Sequence, residues 1–228
     1  SIKRESRIAI LSESKPEWGI AFFSIIRSGG VALLLDRSLK TDELELILND
    51  AKPVAILVSG TYLDKALKLK DRVDKVKHII VMEDEGKPDQ YQSYRELRAK
   101  EGIIEVRERS WDELAVLTYT SGTTGTPKGV MTSFQNLTFE VDTLLKQIKL
   151  EPTETTISIL PLSHLLELVG GFLCTLYSGG KIAYINSLFP QDILQAMKDQ
   201  SANRMLAVPL FFQMVKRQIE KNVGKSPK

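Results

Sequence analysis

The sequence predicts an α/β protein made of two stacked βαβ-type layers with helices between and outside them. Three observations lead there. Four short β-rich apolar runs, RIAIL, VALLL, VAILVS and HIIVM, alternate with stretches of helical periodicity, and that alternation means parallel strands joined by crossover helices. The alternation resumes later in the chain, with TTISIL, KIAYI and MLAVP as strands. Between the two blocks, residues 83–112 turn polar (EDEGKPDQYQSY, RELRAKEG, RERSWDEL), the composition of an excursion between two halves. The expected division is a first α/β subdomain over 1–112, including the excursion 83–112, and a second over 113–228.

Each element has a local reason. Helices are expected over Pro16 to Ser28, Thr41 to Asp50 and Thr61 to Val73. Ser14 and Pro16 open the first and Gly29-Gly30 close it, while Thr41 with Asp42 and Glu43 supplies a cap and acidic charge to the second. AVLTY and GVMTS read as two strands joined by a loop. Ser133 caps a helix carrying Leu137, Val141, Leu144, Leu145 and Ile148, and further helices follow Pro161, Gln191 and Phe211. The tail NVGKSPK is expected to fray.

With 228 residues, 43% hydrophobic and 26% charged, the chain is long enough to bury a sizeable core. Lys+Arg 31 against Asp+Glu 29 leaves +2, too balanced a charge to indicate a nucleic-acid partner. The one cysteine, Cys174, excludes an internal disulfide and suits a reducing, cytoplasmic compartment; within GGFLCTLY it reads as a buried structural thiol. Arg27 interrupts IAFFSIIRSGGVALLL and Pro209 interrupts MLAVPLFFQMV, so neither reaches the roughly 18 apolar residues of an integral membrane segment. No secretory signal is seen. The chain starts at Ser1 and enters a strand within a few residues, as expected of a piece of a longer protein.

The stretch TSGTTGTPKG, Thr120 to Gly129, puts five hydroxyls, three glycines, one proline and one lysine into ten residues. With no apolar side chain it has no core to serve. Glycines allow close backbone approach, successive N–H groups form an anion nest, hydroxyls add rotatable donors and Lys128 adds a mobile charge. A polyphosphate matches all of these. A Walker A loop is excluded, because its lysine directly follows the last glycine at a helix start, whereas here Pro127 precedes Lys128 and Gly129 follows. A plain hairpin turn needs only two to five residues.

LTYTSGTTGTPKGVM resembles the phosphate-binding signature of the adenylate-forming superfamily, most closely that of the long-chain fatty acyl-CoA synthetases. RIAILSESKPEWGIAFFSIIRSGGVALLLD is similar to that family's opening strand, helix and strand, and ILPLSHLLELVGGF to its second core motif; the resemblance runs from about Arg7 to Val223. It implies a truncated large amino-terminal domain and a two-step reaction: a fatty acid and ATP give acyl-adenylate and pyrophosphate, and coenzyme A takes the acyl group. It assigns phosphate contacts to Thr120, Ser121, Gly122, Thr123, Thr124, Gly125 and Lys128. Lys128 and Thr124 are the candidate catalytic residues, and Thr124 is the candidate Mg2+ ligand. A fatty acyl-adenylate or acyl-carrier-protein ligase, or a non-catalytic nucleotide-binding module, remains an alternative.

His164 has three readings: a wall of the acyl pocket, which the resemblance implies; a capping or packed histidine; or a metal ligand, for which His78 is the only other histidine. Glu167, three residues on, is either the glutamate that fatty acyl-CoA synthetases often carry there or a solvated helix residue. Gly170-Gly171 either lets the helix pack closely or leaves room for an acyl chain, and Gly171 is the pocket candidate. KALKLKDRVDKVK carries six basic residues and could touch a membrane surface or a carrier protein, but Asp64, Asp71 and Asp74 interleave and favour a solvated face. Tyr-Gly-x-Thr-Glu, Thr-Gly-Asp and a carboxy-terminal lysine, which relatives use for magnesium, ribose and adenylation, are not found, so the chain alone is expected to be inactive. Thr132-Ser133-Phe134 and Leu33-Leu34-Leu35-Asp36-Arg37 also depart from the family's usual residues and weaken any choice of acid.

Overall fold

The first four apolar runs form parallel strands at the centre of one sheet: β1 (Arg7–Leu11), β2 (Val31–Leu34), β3 (Ala55–Val58) and β4 (His78–Val81). The computed structural model describes residues 4–83, 91–99, 108–120 and 127–223. Strands β1 and β2 pair from Arg7↔Val31 to Ile10↔Leu34, and β1 and β3 from Ile8↔Ala55 to Leu11↔Val58. Every residue of β2 and β3 is buried. That is why these runs are continuously apolar and do not alternate: helices cover a parallel sheet on both faces.

Helices α1 (Pro16–Arg27), α2 (Thr41–Ala51) and α3 (Leu63–Arg72, after a 3-10 turn Gly60–Tyr62) make the crossovers. Pro16 sits in the first turn of α1, where a missing N–H costs nothing. The first helix ends where Gly29 takes φ +85, open to glycine without strain. Helix α2 is capped by Lys40, not by Thr41: the Lys40 backbone N–H donates to the Glu43 carboxylate at 2.7 Å, so Thr41 lies inside the first turn. Leu44, Ile47 and Leu48 of α2 join Ala66 and Leu69 of α3 over Leu33, Ile56 and Ile79 in one core cluster. Of the basic residues of α3, the exposed Arg72 pairs with Asp42 and Glu45, while the half-buried Lys65 donates to Leu39 O at 3.0 Å.

The polar excursion contributes structure of its own within its described part. Strand β5 (Gln92–Ser93) pairs parallel to β4, and α4 (Tyr94–Ala99) follows it. Strands β6 (Leu114–Thr120) and β7 (Lys128–Ser133) complete the sheet in the order β5-β4-β3-β1-β2-β6-β7, with β6 parallel to β2 and β7 antiparallel to β6. At the entry to β6, Glu113 accepts from Arg4, from the Ser110 N–H at 2.9 Å and lies 2.6 Å from Arg109 Nε. These cations and the N–H hold its carboxyl down at about 2.

The compact units are Ser1–Phe139 and Glu140–Lys228. Their boundary falls later than the expected 112/113 because β6 hydrogen-bonds to β2, which makes the β6–β7 pair the completing edge of the first sheet. Helix α5 (Phe134–Gln147) starts from Ser133, whose hydroxyl accepts the Asn136 N–H at 3.2 Å while Asn136 Oδ1 accepts the Ser133 N–H at 3.0 Å.

The second unit holds a parallel sheet in the order β10-β8-β9, with β8 at Thr155–Ser158, β9 at Lys181–Tyr184 and β10 at Arg204–Met205. The helix after Pro161 begins at Leu165. Its middle, Glu167–Leu173, is π-helical and it ends as α6 (Cys174–Tyr177). Helices α7 (Pro190–Asp199) and α8 (Pro209–Val223) supply Ile193 and Phe211 to a second core cluster with Ile157 and Ile159.

Candidate functional site

The first unit presents the β6–β7 hairpin. Its ladder runs from Leu114↔Ser133, through an irregularity before Val116↔Thr132, to Tyr119↔Gly129 and Thr120↔Lys128. The two strands expected to flank the loop are thus paired up to its base, with Lys128 exposed there. Ser121, Gly122, Thr123, Thr124 and Gly125 lie outside the described residues.

A brace at the base of the hairpin was not foreseen from sequence. The half-buried Tyr119 donates its hydroxyl to the Asp50 carboxylate at the end of α2. Burial and that carboxylate push the phenol well above its ordinary range, so it stays a donor. Its ring lies over the facing Gly129, where an added Cβ would come within 3.3 Å of Tyr119 Cζ. The aromatic-opposite-glycine register was a readable signal; Asp50, on a distant helix, carried none.

The second unit holds His164, Glu167 and Gly171. His164 stands at the head of its helix: its N–H donates to Pro161 O at 3.0 Å, its carbonyl accepts the Leu168 N–H at 2.9 Å, and its side chain is exposed. Glu167 is 0% exposed. The Ser158 hydroxyl of β8 donates to its Oε1 at 2.5 Å, and its Oε2 is buried without a hydrogen-bond partner among the described residues. Burial pushes this acid up to about 7 against the smaller effect of Ser158. Gly171 accommodates it, since a Cβ there would lie 2.6 Å from Glu167 Oε1 and 2.7 Å from Cδ. The solvated-helix reading of Glu167 does not describe this position.

Another face of the same helix lines an apolar cavity of about 340 Å³, bounded by Leu144 of α5 and Ile148 just beyond its end, by Leu166, Gly170 and Cys174, and by Met205 of β10. Gly170, not Gly171, faces this space. At its rim the Arg204 guanidinium is fixed by two contacts to Glu154, at 2.5 and 3.0 Å. Cys174 is 2% exposed and its thiol is pushed up by burial, consistent with a structural thiol. No group of His, Cys, Asp and Glu among the described residues could hold a metal ion, and no described helix is long and apolar enough to cross a membrane.

The AMP-binding enzyme family model matches residues 1–227. The chain belongs to this family. It is 28% identical to the long chain acyl-CoA synthetase 8 of Arabidopsis thaliana over 96% of this chain and 33% of that protein. It is equally 28% identical to the human mitochondrial malonate–CoA ligase ACSF3, over 92% of this chain and 35% of the relative. It therefore spans about a third of these relatives. Among solved structures, the anthranilate CoA ligase AuaEII in complex with anthranoyl-AMP matches with a TM-score of 0.85 at 20% identity, over 92% of this chain and 41% of that one. The ATP-bound MatB of Rhodopseudomonas palustris matches with a TM-score of 0.77 at 27% identity, over 93% and 41%. The fold of this chain is that of the large domains of adenylate-forming ligases, as the resemblance of LTYTSGTTGTPKGVM implies.

Proposed function

We propose that this chain is the phosphate-loop part of an ATP-dependent acid–thiol ligase. The carrying observation is the β6–β7 ladder, which closes the TSGTTGTPKG segment with Lys128 opposite Thr120, in a chain matched along its length by the AMP-binding family. In the proposed reaction a carboxylate oxygen bonds to the α-phosphorus of ATP and pyrophosphate leaves; a thiol sulfur then bonds to the acyl carbon, AMP leaves and the thiol proton goes to solvent. The chain's part is electrostatic: hydroxyl and N–H donors of 120–125 hold the β and γ phosphates, and Lys128 offsets the charge that builds on the leaving pyrophosphate. Thr124 as a Mg2+ ligand belongs to the same reading.

For the acid, a fatty acid and coenzyme A are the reading that relatives named long-chain synthetases support. The malonate–CoA ligases among the relatives support a short dicarboxylate as the second. His164, whose side chain is exposed at the helix head, takes the place beside the reacting carboxylate. Glu167 and Gly171 fill each other's space and act from behind the helix.

The test is carboxylate-dependent exchange of labelled pyrophosphate into ATP, across fatty, aryl and dicarboxylic acids, in the chain and in any longer protein containing it. Lys128→Ala is expected to lower exchange about 10²-fold and to change fold stability by less than about 0.5 kcal/mol, because the side chain is exposed. Undiminished exchange in Lys128→Ala rejects the phosphate role. Exchange by the 228-residue chain equal to that of the longer protein rejects its reading as a part.

A further inference from the structure

The middle of the helix after Pro161, Glu167–Leu173, is a π-helical turn to which the proposed chemistry assigns no role. Its bonding is visible at its end, where the Cys174 N–H donates to Val169 O, five residues back. Such turns are rare, appear mostly as single turns inside α-helices and are frequent at functional sites. Here the fully buried Glu167 carboxyl occupies the space beside Gly171 that a Cβ would take, and it is tied to β8 through Ser158 at 2.5 Å. A shift of one residue in a helix turns everything beyond it by about 100°. The residues beyond this turn include Cys174, which with Leu166 and Gly170 forms one wall of the apolar cavity.

We infer that Glu167 is a positioning residue: its carboxyl, seated between Ser158 and Gly171, holds the π turn and so fixes which side chains line the cavity. Removing the side chain frees the segment to relax to α-helix and rotates Cys174 away from its present place. Ionising it has the same tendency, because a carboxylate there faces one hydroxyl and no cation. Ser158 on β8 and Gly171 on its own helix are the groups against it, and no charged side chain among the described residues contributes to its ionisation. The two glycines have separate duties. An added Cβ at Gly171 meets the carboxyl at under 3 Å, whereas at Gly170 the nearest atom is Leu206 Cδ2 at an ordinary 3.4 Å.

Cys174 is the only cysteine in the chain, so its alkylation by iodoacetamide, followed by mass spectrometry, reads the helix phase directly. Below pH 7, where the acid is neutral, the expected result is alkylation at least tenfold faster in Glu167→Ala than in the unsubstituted chain, and unchanged in Glu167→Gln, which keeps shape and neutrality. The ratio of unsubstituted to Glu167→Gln rates should rise as pH passes through about 7, where the acid ionises; using the Gln variant as reference cancels the thiol's own titration. Should Glu167→Ala not fold, Gly171→Ala and Gly170→Ala carry the test, with acceleration expected in the first alone. Equal rates in Ala and Gln variants, equal rates in the two glycine variants, or a ratio constant from pH 5 to 9 would overturn the inference. The inference rests on the ligase reading only for its further consequence, altered acid selectivity. The cysteine readout needs no turnover, so failure of that reading leaves it standing.

Discussion

Glu113 and Glu167 are the same residue in opposite circumstances. Glu113, at the entry to β6, has Arg4, Arg109 and the Ser110 N–H around a side chain that is 9% exposed, and its carboxyl is held at about 2. Glu167, between β8 and its helix, has one hydroxyl and stands at about 7. Both side chains are nearly or wholly out of water, so shielding from solvent does not by itself decide the charge; the supply of donors and cations does. The first unit uses its glutamate as an anion to tie an arginine pair to the sheet edge, and the second uses its glutamate as a neutral wedge.

The largest effect that can break this comparison is the pH dependence of stability at Glu167. A carboxyl raised from 4.5 to about 7 on folding stabilises the fold fully below pH 4.5 and loses that contribution as pH rises to about 7. Glu167→Gln should therefore raise stability above pH 7, by up to about 3 kcal/mol at 1.36 kcal/mol per pKa unit, and leave it unchanged near pH 4. Denaturant melts at pH 4 and pH 8 measure this, and a variant no more stable at pH 8 rejects the neutral wedge. A smaller effect of opposite sign is expected at Glu113. Its depressed carboxyl contributes above pH 4.5 and loses that contribution as pH falls towards about 2, so Glu113→Gln should lower the neutral-pH melting temperature and lose its disadvantage in acid. The smallest effect is that of Arg4→Ala. Arg4 has a side chain 61% exposed while Arg109 stays in place, so its loss should be within a fraction of the Glu113→Gln change. A loss as large as that of Glu113→Gln would mean that Arg4, not the whole set, holds the anion.

The strands of the first sheet were legible because burial on both faces demands unbroken apolar runs, and VALL and AILV have no other use. The strands flanking TSGTTGTPKG were legible for a chemical reason, since ten residues without an apolar side chain serve no core and separate two apolar runs. Less was legible where a polar residue takes its meaning from a distant partner. Gln92–Ser93 reads as excursion until β4 offers its edge. The sequence leaves Glu167 open between a family glutamate and a solvated helix residue because neither Ser158, on the preceding strand, nor the emptiness of Gly171 is marked in the sequence as its neighbour. The π turn is invisible for a related reason: the pattern Leu166, Gly170, Cys174 suits an α-helical face equally well.

The pairing of Thr120 with Lys128 also bears on how a ligand binds. Bringing two ends of a chain of this length together costs about 2 kcal/mol in loop-closure entropy, by the logarithmic length dependence of flexible loops. Here that cost is met by folding of the hairpin, because the ladder holds the two ends side by side. On the proposed phosphate reading, none of a ligand's attraction is spent on bringing Thr120 to Lys128.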